Sequence, residues 1–70
     1  MLGDKYRIFY HKDGHTISYG DPVDTWKQAK ALRGRAFDGI KTAKAVWIMR
    51  YNPSLDLKCE KFGFTLSRST

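Results

Sequence analysis

The sequence predicts an α+β fold, an antiparallel four-stranded sheet with one helix packed on one face in the order ββαββ. Three observations carry that expectation. Asp13-Gly14 lies between two β-rich runs, one stretch after Pro22 repeats apolar residues at helical spacing, and two more β-rich runs flank Asn52-Pro53.

The first run, Lys5 to His11, alternates roughly in polarity, and His15 to Tyr19 returns it. A type I′ turn needs positive φ at both central positions, which Asp-Gly supplies. With Asp13 and Gly14 as the loop, Tyr10 faces Ile17 and Ile8 faces Tyr19, so Tyr6, Ile8, Tyr10, Ile17 and Tyr19 share one face. Arg7, Phe9, His11, Thr16 and Ser18 share the other.

Gly20 is expected to end the second strand. Asp21 then caps a helix, with Pro22 at its first position and Asp24 near the positive end of its dipole. The helix is placed from about Pro22 to Arg33, ending near Gly34 or a few residues later. Val23, Trp26, Ala29, Leu32, Ala36 and Phe37 fall within half of its circumference and form the core stripe, with Trp26 as anchor. Asp38-Gly39 turns into a loop over Ile40 to Lys44.

Ala45 to Tyr51 reads as the third strand, and Leu57 to Ser67 as the fourth, across a turn that Pro53 enforces. Both alternations of the third strand are apolar. The favoured reading turns Trp47, Met49 and Tyr51 inward with Leu57 and Cys59, and a bulge at Gly63 then brings Phe64 and Leu66 onto the same face. The alternative turns Val46 and Ile48 inward with Phe62. On the favoured reading the uncovered face carries Arg7, Phe9, His11, Val46, Ile48, Arg50, Lys58 and Glu60, a mixture of cations and apolar groups that suits a contact surface.

Seventy residues make a single small domain over 1–70, because halves of such a chain could not each bury a core. Ten aromatics and 41% hydrophobic residues are enough to drive collapse. The lone Cys59 excludes an internal disulfide and suits a reducing compartment, the cytoplasm. The longest apolar run, Ala45 to Met49, is far too short to span a bilayer, so no membrane partner is expected.

Thirteen Lys and Arg against seven Asp and Glu leave a net charge of +6, which favours a polyanion or an acidic protein surface. Residues 25–50 carry that excess: they sum to +6, against −1 for 1–24 and +1 for 51–70. The expected binding residues are Lys27, Lys30, Arg33, Arg35, Lys41, Lys44, Arg50 and Arg7 for phosphates, with Phe9 offering a π-face to an unstacked base.

Catalysis is not expected. The seven acids are scattered, Cys59 reads as a packing residue, and Gly34 and Gly39 lack the strand-loop-helix setting of a phosphate loop. His11 and His15 leave opposite faces of a tight hairpin, so no metal or other cofactor is expected. Helix-turn-helix, zinc-finger, RNP-type and KH-type signatures are absent. The sequence therefore points to a non-enzymatic binding or regulatory module whose basic surface engages an acidic partner, foremost nucleic acid. In size, single cysteine and sheet-plus-helix make-up the chain resembles the small accessory proteins of bacteriophages. That resemblance implies the alternative, an inhibitor that binds a host nucleic-acid-processing or defence protein directly.

Overall fold

Tight-turn chemistry sets the first half of the molecule. In the computed structural model, which describes residues 4–52 and 60–68, strands β1 (Lys5–Lys12) and β2 (His15–Val23) form an antiparallel hairpin. Asp13 and Gly14 turn it with φ of 52° and 80°, the paired positive values of a type I′ turn. The register follows from the turn: Lys12 lies opposite His15, Tyr10 opposite Ile17 and Ile8 opposite Tyr19.

Beyond Tyr19 the second strand does not stop at Gly20. The pairing slips between Tyr6 and Ile8 so that Tyr6 meets Val23, and β2 carries Asp21 and Pro22 within it. Pro22 is tolerated because β2 is an edge strand, where a missing N–H breaks no second ladder. The helix therefore begins later than Asp21-Pro22 suggests. Helix α1 (Trp26–Gly39) is capped by Thr25, whose Oγ1 accepts from the Gln28 backbone N–H at 3.1 Å while Gln28 Oε1 accepts from the Thr25 N–H at 3.3 Å. This reciprocal box satisfies two otherwise orphaned donors, which Asp21 would do only from four residues too early. Asp24 instead pairs with the ammonium of Lys5 and ties the helix start to β1.

Strand β3 (Ala45–Tyr51) lies on the far side of β1, and β4 (Glu60–Lys61) and β5 (Leu66–Ser67) both pair with β3 at opposite ends of it. All pairings are antiparallel, in the order β2-β1-β3-β4 with β5 beside β3, and α1 covers one face. The fold is thus α+β, with the fourth strand of the sequence reading present as two short pieces. The proposed Asn52 to Asp56 turn, Leu57, Lys58 and Cys59 lie wholly or mainly outside the described residues.

The face of β3 is the reverse of the favoured expectation. Ile8 lies opposite Ile48 and Tyr10 opposite Val46, and directly opposed residues share a face, so Val46 and Ile48 point to the helix. Ile8, Val46 and Ile48 are fully buried against Ala29 and Ala36 of α1, with Trp26, Leu32 and Phe37 packed around them. The two alanines let the helix approach the sheet closely, leaving room for branched aliphatics rather than an indole. Trp47, Met49 and Tyr51 accordingly occupy the opposite face. Nor does Gly63 change the parity. Between the Met49–Lys61 and Val46–Leu66 pairs the returning chain carries two extra residues, and an even insertion keeps Phe62 on the core side, against Trp26 and Tyr6. Phe64 is 65% exposed rather than part of the core.

The helix end is held from a distance. Its last turn contains no basic residue, but Arg68 donates from Nη1 to the carbonyls of Ile40 (3.1 Å) and Ala43 (2.7 Å) and from Nη2 to that of Phe37. Its guanidinium lies 4.0 Å from the Phe37 ring centroid. A cation here answers the negative end of the helix dipole and satisfies carbonyls that the helix cannot. Arg68→Ala is expected to lower unfolding free energy by about 2 to 3 kcal/mol. Arg68→Lys should recover little of it, since an ammonium lacks the planar fork. Chemical denaturation checks both, and full recovery by lysine would reduce the role to charge alone.

Candidate functional site

Because α1 shields the side of the sheet that carries Ile8, Val46 and Ile48, the residues between them in sequence form a second surface that no described element covers. They fall into rows running across the strands. Ser18, Phe9 and Trp47 make one row on β2, β1 and β3. One pleat to one side lie Arg7, Met49 and Lys61, and one pleat to the other lie Thr16, His11, Ala45 and Ser67. No carboxylate stands at any of these positions.

The central row is aromatic. The Phe9 and Trp47 rings are nearly parallel, 15° apart, with centroids 6.5 Å from each other. Lys61 Nζ lies 5.0 Å from the Trp47 centroid, where the ring quadrupole attracts an ammonium. A shallow groove of about 150 Å³ is lined by Phe9, Thr16, Trp47 and Met49. Arg7 lies beside it with its Nε buried and without a hydrogen-bond partner, and no carboxylate pairs with Arg7 or Lys61 among the described residues. Two half-buried rings and cations without a carboxylate partner among the described residues thus share one surface.

The cations expected from the sequence do not gather in one place. Lys27, Lys30 and Arg35 are exposed on α1, on the other side of the sheet from Phe9, and Lys41 and Lys44 are exposed in the loop before β3. Arg50 points to the core side of β3, pairs with Glu60 and lies 4.3 Å from the Phe62 centroid. The hydrogen bond to Glu60, foremost, holds its guanidinium above its ordinary pKa. Arg33 is only 4% exposed. It lies between the Trp26 and Phe64 rings, donates from Nη1 to the Phe64 carbonyl at 2.6 Å, and loses proton affinity to burial. Of the expected set, Arg7 and Phe9 stand together on the uncovered face.

Trp47, Met49 and Lys61 are the residues that sequence reasoning missed there. For Trp47 and Met49 a weak signal exists, since β-branched Val46 and Ile48 suit the face opposite Tyr10 and Ile8; for Lys61 the sequence offers none. The register also places His11 and His15 on opposite faces, and among the described residues no group of three or more His, Cys, Asp or Glu could hold a metal ion. No helix among them is long and apolar enough to cross a membrane. Comparison with protein-family models, with curated proteins and with solved structures finds no match to this chain.

Proposed function

We propose that this chain is a non-enzymatic binding module that takes nucleic acid on the uncovered face of its sheet. The observation that supports this is the make-up of that face, where Arg7, Lys61 and His11 surround an aromatic pair with no acidic residue among the paired positions. Phosphates release condensed counterions when cations replace them, so a surface of this sign gains affinity without any base-specific contact. The helix cations Lys27, Lys30 and Arg35 add to the field that draws a polyanion in.

Titration of mixed-sequence oligonucleotides at several salt concentrations tests the reading. The logarithm of affinity should fall linearly with the logarithm of salt. Arg7→Gln and Lys61→Gln together should flatten that slope by about one for each cation removed. An unchanged slope would take Arg7 and Lys61 out of the site. Absence of binding at low salt would favour the alternative, an inhibitor that docks on the acidic surface of one protein partner.

A further inference from the structure

Resting on that reading of the uncovered face, we infer that its occupant is single-stranded nucleic acid, with an unpaired base laid against the Phe9–Trp47 pair. The phosphates on either side of that base meet Arg7 and Lys61.

The rings are not there to build the core. Ile8, Val46 and Ile48 are fully buried on the helix side, whereas Phe9 and Trp47 pack on each other on the side that no described element covers. Both rings are half-buried there, and two large rings partly open to water suit a contact surface. What they present is a π-surface with a shallow, mostly apolar groove, about 150 Å³, beside it. A duplex keeps the faces of its bases inside the stack and offers a ring pair only phosphates, sugars and base edges. An unpaired base brings both faces to water and gains by stacking, whichever base it is.

The charges are arranged to suit a strand rather than an isolated base. Arg7, Met49 and Lys61 follow one another across β1, β3 and β4, one pleat from the aromatic row. Lys61 reaches over Trp47 while Arg7 flanks Phe9 on the same strand. A backbone crossing the sheet can therefore meet a cation at each end of the row while its base lies on the rings. On the far side Thr16 and His11 offer polar groups to base edges.

The test compares single-stranded DNA, single-stranded RNA of the same sequence and the corresponding duplex, by anisotropy of a labelled strand. Both single strands should bind similarly, because stacking does not read the 2′-hydroxyl, and both should bind more tightly than the duplex. Replacing both rings, Phe9→Leu with Trp47→Leu, keeps an apolar side chain at each position but removes the π-faces. It should weaken single-strand binding by about 5- to 150-fold while leaving the salt slope in place. Phe9→Tyr with Trp47→Phe keeps both π-faces and should restore most of the affinity; circular dichroism confirms that each variant is folded. Equal affinity for duplex and single strands, or undiminished binding by the leucine pair, overturns the stacking inference. In either case a slope that still responds to Arg7 and Lys61 leaves the nucleic-acid reading standing. Failure of every oligonucleotide to bind overturns both.

Discussion

Ile48→Ala is expected to destabilise the domain by about 2 to 5 kcal/mol, more than Trp47→Ala does. The ordering runs against residue size, since an indole carries far more apolar area than a sec-butyl group. It follows from the register. Ile48 is fully buried opposite Ile8 and beneath the helix, so truncation leaves a cavity that β1, β3 and α1 cannot close. Trp47, its neighbour in sequence, contacts Phe9 and Lys61 on the open side, and its loss removes one aromatic pairing. A core of this size rarely supplies more than about 3 to 5 kcal/mol in total, so Ile48→Ala should populate unfolded chain. Equilibrium denaturation of the two variants decides the matter. A larger loss for Trp47→Ala would mean that β3 faces the other way, and the proposed interface would vanish with it.

How far the sequence foretold this arrangement depended on whether a local rule or a global one decided each element. Asp13-Gly14 specifies its turn by backbone sterics alone, and the hairpin register follows without reference to the rest of the molecule. The helix stripe was legible except at Val23, which belongs to β2 instead: Trp26, Ala29, Leu32, Ala36 and Phe37 all lie on or against the core. Arg33 shows where charge misleads: seven residues after Trp26 it stands only about 20° from it around the helix, squarely within the stripe. Its guanidinium lies 4.2 Å from the Phe64 ring centroid, and the residue is almost fully buried.

The start of the helix was legible too, since Thr25-x-x-Gln28 is a capping-box pattern, but Asp21-Pro22 matches a start signal of comparable strength. What decided between them was tertiary: Tyr6 pairs with Val23, extending β2 through the proline. The candidate site was the least legible feature. In Ala45 to Tyr51 both alternations are apolar, so periodicity is silent on the face, and the larger side chains were assigned to the core. The available depth beneath a helix floored by Ala29 and Ala36 reversed that choice. Lys61 could join the surface only through a pairing with Met49 that local sequence does not specify.

Gly63→Ala is expected to cost about 2 to 5 kcal/mol, of which about 1 to 2 is backbone strain and the rest collision. The residue has φ of +80°, where an L side chain is disfavoured, and a methyl group built on it would come within 2.5 Å of Trp26 Cη2 and 3.3 Å of Arg33 Nη1. The indole is not free to retreat. Phe62 meets it edge-on at 4.7 Å, Tyr6 lies 6.0 Å away, and the Arg33 guanidinium lies 5.9 Å from its centroid. Gly14 supplies the control, because it shares φ of +80° but has nothing within 4 Å of the built methyl. Gly14→Ala should therefore show the strain alone, about 1 to 2 kcal/mol. Trp26→Phe removes the atom that collides, so combined with Gly63→Ala it should lose less than the sum of the single changes. Equal losses at the two glycines, or strict additivity with Trp26→Phe, would dismiss the contact. The collision also bears on the surface opposite. Gly63 lies between β4 and β5, and a chain pushed away from Trp26 there carries Lys61 away from Met49 and Trp47. Gly63→Ala should thus weaken oligonucleotide binding under conditions where the domain is still folded, whereas Gly14→Ala should leave it unchanged.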